Sequence, residues 1–167
     1  MSDIVSARLA LRLITAGEAS AVLNGQRRPD WAADFPTDGD QVIARLLART
    51  GLPANDRARR FGHRLVVERE GGTVVGGIGF FGPPQDGEVE IGYGIVPSRR
   101  RRGYATEAVQ AMVADVLRLD EVQTITANVD RDNPASIRVL EKADLMLCAQ
   151  NSEQATYHIR RRTPRRL

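Results

Sequence analysis

The chain has 167 residues, of which 42% are hydrophobic and 27% charged, and its formal net charge is +3. That length predicts one domain able to bury its own core, and the composition excludes wholesale disorder. No apolar run approaches the roughly 18 residues of a membrane helix, the first five residues carry no basic, apolar leader pattern, and the single cysteine, Cys148, excludes an intrachain disulfide and a Cys-rich zinc site, which points to a cytoplasmic home.

Residues 8–13 alternate, with Leu9, Leu11 and Leu13 on one face, and predict a half-buried strand. Thr15-Ala16-Gly17-Glu18 matches a capping box and predicts a helix to about residue 23. Residues 24–35 are polar apart from a few side chains that include Trp31 and Phe35. A second helix is expected over 37–47, with Val42, Ile43, Leu46 and Leu47 apolar, and a loop over 50–61. Strands at 64–69, 73–81 and 88–96 form an antiparallel meander, turned at Glu70-Gly71-Gly72 and at 82–87 and stopped by Pro97. A helix over 104–119 follows, striped by Ala105, Val109, Met112, Val113 and Val116. It can cross over to a strand at 124–129 lying parallel to the strand before it. Asn133 as N-cap and Pro134 at the first helical position open a helix to about residue 143. Strands at 145–148 and 155–160 close the chain, with Cys148 expected as an inert core thiol. The order is β-α-α-β-β-β-α-β-α-β-β, an α+β fold with a mixed, mostly antiparallel sheet of about seven strands and about four helices. Residues 1–162 read as one domain, and the Arg-rich 163–167 as a disordered basic tail.

The arginines are clustered. Arg99 to Arg102 form one run, and Arg160, Arg161, Arg162, Arg165 and Arg166 nearly form another. Such runs suit an anionic ligand, a nucleic acid or a solvated surface. The first run sits between a strand and a helix start, where unpaired N–H groups and the positive end of the helix dipole attract anions. Gly103 and Ala105 would let a phosphate approach the backbone closely. On these grounds alone, an anion cradle and a solvated helix start stand level. Gly77-x-Gly79-x-x-Gly82 precedes Pro83-Pro84 rather than a helix, so it is no dinucleotide site. His63 and His158 belong to no metal-binding spacing, and no metal is expected.

Arg100-Arg101-Arg102-Gly103-Tyr104-Ala105 resembles the Gln/Arg-x-x-Gly-x-Gly/Ala motif of the GNAT superfamily of acyl-CoA-dependent N-acetyltransferases. The segment from Asn133 through Ser136, Leu140 and Lys142 to Ala143 resembles that family's Asn-x-x-Ser-x-x-x-Leu-x-Lys helix. Arg8-Leu9-Ala10-Leu11-Arg12 resembles the opening of the branch that acetylates ribosomal-protein N-termini. The resemblance implies a GNAT-like fold whose strands 88–96 and 124–129 splay to admit acetyl-CoA as donor. It implies that backbone N–H groups from Arg101 through Arg102, Gly103, Tyr104 and Ala105 to Thr106, with Arg100 beside them, hold the pyrophosphate. Ile95 and Val96 would pair with the pantetheine arm, with an N–H near Ile95 as oxyanion donor. Asn133 and Ser136 would reach the same cofactor, with Ser136 as acid or hydrogen-bond donor to the leaving thiolate. The sequence departs from the family at Ala143-Asp144-Leu145, where Ala-Gly-Phe is usual. Asp takes a left-handed helix end less readily than Gly, so an altered helix end is expected. No tyrosine occurs between Asn133 and Ala143 to act as an acid.

The reaction needs a neutral amine, a stabilised oxyanion and a protonated leaving thiol. Glu90 is the candidate base, ahead of Glu88 on the same strand face. An α-amine of pKa about 7.8 is roughly a quarter neutral at physiological pH, against about 0.1% for a lysine. Glu90, Trp31 and Phe35 are the expected acceptor-binding residues. Acceptors left open are a protein N-terminus, including a ribosomal one, and small-molecule amines. Two alternatives remain. One is a CoA-binding regulatory protein without turnover. The other is a nucleic-acid module using both Arg clusters, against which stand the lack of a recognition motif and an aromatic content of 5%. No membrane partner is expected, and the oligomeric state is left between monomer and homodimer.

Overall fold

The computed structural model describes residues 2–162, so the disorder expected of the tail 163–167 lies outside the described residues. Eight strands make one sheet: β1 (Ile4–Val5), β2 (Leu9–Leu13), β3 (Arg64–Glu68), β4 (Val74–Phe80), β5 (Glu88–Ile95), β6 (Thr124–Asp130), β7 (Met146–Gln150) and β8 (Gln154–Arg160). Their spatial order is β1-β2-β3-β4-β5-β6-β8-β7. Every neighbouring pair is antiparallel except β5 and β6, which α4 (Tyr104–Val116) joins as a crossover. The other helices are α1 (Ala16–Leu23), α2 (Asp38–Thr50), α3 (Asp56–Arg60) and α5 (Pro134–Lys142).

The helices cover both faces of the sheet. α4 packs on β1, β2, β4 and β5 and touches α5, while α1 and α2 pack together and α2 reaches β5. Tyr93 of β5 extends to Ser136 of α5, and the next residue, Gly94, faces Thr37 at the head of α2. Adjacent strand residues point to opposite faces, so α5 and α2 lie on opposite sides. The predicted stripe of α4 is the buried one: Val109, Met112, Val113 and Val116 are in the core, joined by Ala108. Burying each of the larger ones contributes roughly 1.5–3 kcal/mol. On the other face the predicted capping box of Thr15 with Glu18 is present, and Thr37 with Asp40 makes a second one that the sequence reading did not name.

The structure corrects the sequence reading at four places. β1 adds an eighth strand, too short at two residues for alternation to reveal it. α3 stands inside the expected loop 50–61; Asn55 caps it, but Asp-Arg-Ala-Arg-Arg has no apolar period. Cys148 is exposed rather than buried, because β7 is the sheet edge and every residue of it is exposed. Its Sγ donates to the Thr156 carbonyl at 3.3 Å, at an irregularity in the β7–β8 register. The end of α5 is regular rather than altered. Asp144 adopts φ 64°, its N–H bonds Glu141 O, and the Leu145 N–H bonds Leu140 O. That is the paired bonding a glycine-ended helix makes, and buried Leu140 and Leu145 accompany it.

Candidate active site

β5 and β6 pair over three residues only, Glu88–Thr124, Val89–Ile125 and Glu90–Thr126. Beyond Glu90, β5 stays with β4 and β6 with β8, so the sheet opens between them. The β4–β5 ladder fixes which backbone groups face the opening. Phe81 N–H donates to Glu90 O and Val96 N–H to Val75 O. Ladder bonds alternate along an antiparallel strand. The N–H and C=O groups of Tyr93 and Ile95 therefore turn away from β4, toward the gap. Of the two residues expected to pair with a pantetheine arm, Ile95 presents its N–H to the opening, whereas Val96 has committed its own to β4. The Ile95 carbonyl accepts from Arg100 Nε at 3.0 Å.

At the end of β5, Pro97–Arg99 form one 3₁₀ turn, and Gly103 becomes the N-cap of α4 at φ 79°. Arg101 adopts φ 61°, a left-handed conformation that favours glycine. Gly103 brings no side-chain cap, and the first bond of α4 runs from Glu107 N–H to Gly103 O. Among the described residues, the N–H groups of Arg101, Arg102, Gly103, Tyr104, Ala105 and Thr106 find no protein acceptor. They form a row of donors at the positive end of a 13-residue helix. The side chains of Arg101 and Arg102 are exposed beside it, while Arg99 pairs with Glu68 at 3.0 Å.

A part of this loop that the sequence reading missed comes from Arg8, the residue before β2. Arg8 donates to the Arg102 carbonyl at 2.8 Å, pairs with Glu107 at 2.7 Å and lies 4.8 Å over the Tyr104 ring. Its Nη2 would stand 3.4 Å from a Cβ at Gly103, an ordinary contact, so it is the positive φ there that favours glycine. Burial alone would raise the Glu107 carboxyl. Bonds from the Arg8 N–H, Ser6 and the Arg8 guanidinium outweigh it and hold the pKa below the usual value. Glu107 in the first turn of α4 was the available signal, but its partner lies 99 residues away. Arg8, Glu68, Glu70, Arg99, Arg102 and Tyr104 line a cavity of about 320 Å³ beside the loop.

On the α5 face, Asn133 accepts from the Ser136 N–H at 3.1 Å and is the expected N-cap. The Ser136 Oγ is 2.8 Å from the Tyr93 hydroxyl, which also lies 3.2 Å from the Ser136 carbonyl. Burial raises the Tyr93 pKa, against the bond with Ser136. A tyrosine hydroxyl thus stands at Ser136 although α5 has none; it comes from β5, 43 residues earlier.

Glu90 lies three residues from Tyr93 and so points to the opposite face, the side of α2. Its Oε1 accepts from Asn128 Nδ2 at 3.0 Å, and Asn128 Oδ1 accepts from Thr156 Oγ1 at 2.7 Å. Glu88 shares this face but is exposed, and no side-chain bond anchors it among the described residues. Trp31 and Phe35 are core side chains rather than surface walls. They are 5% and 1% exposed and meet edge to ring at 4.9 Å. Any influence of theirs on a ligand is indirect, through the loop they hold. Two groups not singled out by sequence crowd the same face. A Cβ on Gly77 would stand 2.4 Å from Asp40 Oδ1 and 2.7 Å from His63 Nε2. Burial raises the Asp40 carboxyl despite its bonds to Thr37, and burial pulls the His63 imidazole down to about 4. Both therefore sit in an environment that disfavours charge.

The arrangement offers anion donors at one end of a gap, a backbone N–H within it, a hydroxyl pair on one face and a held carboxylate on the other. Comparison with known proteins gives the family. Residues 8–146 match the Acetyltransferase (GNAT) domain. The chain is 35% identical over 103 residues to the uncharacterized N-acetyltransferase YjdG of Bacillus subtilis (strain 168), a match spanning 61% of each chain. It is 30% identical over 140 residues to the uncharacterized N-acetyltransferase YoaA of the same organism, covering 81% of this chain and 77% of that one. RimL, a ribosomal L7/L12 alpha-N-protein acetyltransferase solved in complex with coenzyme A, shares the fold with a TM-score of 0.67 at 18% identity, over 95% of this chain and 98% of that one.

Proposed function

The chain belongs to the GNAT acetyltransferase family, and from that premise we propose that it moves an acetyl group from acetyl-CoA directly to a primary amine within a ternary complex. The observation that carries this reading is the row of unengaged N–H groups at the head of α4, beside the opening between β5 and β6. That row fits a pyrophosphate, and the exposed Arg101 and Arg102 add charge. The opening with its strand-edge N–H groups fits an extended amide arm. Acetyl-CoA, when bound, supplies an acetyl carbonyl activated as a thioester.

The residues of the chain do the rest. The Ile95 N–H donates to the oxygen where negative charge develops. Glu90, held by Asn128, takes the amine proton directly or through water from the α2 face. Ser136 donates a hydrogen bond to the departing sulfur from the α5 face. Tyr93 orients that hydroxyl. Holding the amine and the thioester together is itself worth about 7–11 kcal/mol at best, so no covalent enzyme intermediate is needed.

Calorimetric titration with acetyl-CoA tests the reading before any acceptor is known. Micromolar one-to-one binding, weakened in an Arg101→Glu/Arg102→Glu variant, is the expected result. A folded sample that does not bind millimolar acetyl-CoA would overturn it.

A further inference from the structure

The α2 face beside Glu90 holds a feature that the reaction above leaves unused. Phe81 immediately follows β4, and its N–H donates to the Glu90 carbonyl at 3.0 Å, so the two residues are cross-strand neighbours. The Phe81 ring then leans along β5 over Gly92. A Cβ added to Gly92 would stand 2.8 Å from ring atoms Cε2 and Cζ. This is closer than such contacts come, so a glycine is what lets the ring lie there. The ring is still 52% exposed. A single exposed apolar side chain is ordinary on a protein surface. This one is distinguished by its place: it is held against the strand that borders the opening, next to the Glu90 carboxylate, which Asn128 fixes.

The surroundings define a seat. Gly92 and Gly94 give a floor of partly exposed backbone without side chains. Thr37, at the head of α2, lies over Gly94, with its Oγ1 3.8 Å from where a Cβ would be. Phe81 is the apolar wall, and Glu90 supplies the negative charge, with exposed Glu88 two residues away on the same face. None of these residues is cationic. His63 and Asp40 crowd Gly77, the cross-strand neighbour of Gly94, but burial disfavours charge on both, so the seat is complementary to a positive charge flanked by hydrocarbon and holds no cation to receive a phosphate or carboxylate. A polycation would gain from Glu90 but would leave the ring wet.

Resting on the transferase reading, we propose that Phe81 over Gly92 is the acceptor subsite, and that the acceptor is a primary ammonium whose neighbouring carbons carry an aromatic or branched aliphatic group. The ammonium approaches Glu90 while its apolar group covers the exposed Phe81 ring. Small arylalkylamines and peptides with an apolar first residue share this chemistry.

The test is steady-state acetylation of 2-phenylethylamine, a Phe-Ala-Ala-Ala peptide and spermidine by the full chain, with acetyl-CoA affinity measured by calorimetry in parallel. One or both phenyl-bearing amines are expected to exceed spermidine by about tenfold or more in kcat/KM, and which of the two leads identifies the source. Phe81→Ala should raise KM for the preferred amine about tenfold while acetyl-CoA affinity and kcat change little. Phe81→Tyr should retain the low KM. Gly92→Ala should displace the ring and act in the same direction as Phe81→Ala. Preference for spermidine, an unchanged KM in Phe81→Ala, or intact acetyl-CoA binding without acetylation of any of the three would overturn the subsite. Loss of acetyl-CoA binding in the unaltered chain would instead bring down the transferase reading, and the subsite with it.

Discussion

The Tyr93–Ser136 contact at 2.8 Å raises the question of which hydroxyl serves the leaving sulfur. A free thiol has a pKa of about 8.5 and a tyrosine about 10, so full proton transfer from Tyr93 is uphill by about 2 kcal/mol. Burial, which raises Tyr93 further, makes it worse. In the proposed reaction Tyr93 is therefore a positioning residue rather than an acid. With Tyr93 donating to Ser136 Oγ, one of the two directions that contact allows, the serine proton is free to point at the sulfur, and a chain of hydroxyls strengthens that donor. Tyr93→Phe is expected to lower kcat about tenfold with little change in KM for acetyl-CoA, and Ser136→Ala to do the same. If Tyr93 acts only through Ser136, the double variant falls no further than either single one. Additive losses would refute the pairing, and unchanged thermal unfolding of Tyr93→Phe would separate orientation from packing.

A single element shows how a missing glycine is absorbed. α5 ends at Ala143, and the next residue must take a left-handed conformation for the Leu145 N–H to reach Leu140 O. Asp144 does so at φ 64°. The carboxylate residue costs about 1 kcal/mol there relative to glycine, and the burial of both Leu140 and Leu145 holds the end in place. Asp144→Gly should therefore stabilise the protein by about 0.5–1 kcal/mol, with part of the gain offset by the looser unfolded chain. A rise in the denaturant midpoint at constant slope checks it; a fall would mean that the Asp144 carboxylate does something the backbone does not reveal. The family pattern made the departure visible in the sequence. It could not show that the surrounding helix end would impose the glycine conformation regardless.

Across the whole molecule, the phosphate-type loop is not assembled by its own segment alone. Arg8, the residue before β2, ties the Arg102 carbonyl, Glu107 and the Tyr104 ring to the start of that strand. The row of N–H groups is thus set by a contact spanning 94 residues of sequence. Arg8→Ala should weaken acetyl-CoA binding about tenfold by loosening donors that must be pre-positioned. Arg8→Lys should restore it only in part, since an ammonium cannot imitate the fork that bridges Glu107 and a carbonyl. Calorimetry checks both, and an unchanged affinity in Arg8→Ala would show that the loop holds itself. The same exposed geometry that serves Glu90 and Phe81 depends on the parting of β5 from β6 after Glu90, which is likewise a property of the whole sheet.

The sequence by itself determined the order of the longer elements, the meander, the crossover helix and its buried stripe, the Thr15–Glu18 capping box, the Asn133 cap and the arginine loop before α4. Each of these is written in local periodicity, in a cap or in a turn residue, so neighbours along the chain suffice to read it. Periodicity failed where there was none to read, in the two residues of β1 and the short charged α3. It misled at Cys148, because burial depends on what covers a strand, and nothing among the described residues covers β7. Trp31 and Phe35 could be recognised as notable aromatics, but only packing decided that they face the core. The partnership of Tyr93 with Ser136, the hold of Asn128 on Glu90, the bracing by Arg8 and the seat of Phe81 over Gly92 were decided by tertiary structure. Each joins residues from different strands or helices, and its distance is set by sheet register and helix packing rather than by spacing in the sequence.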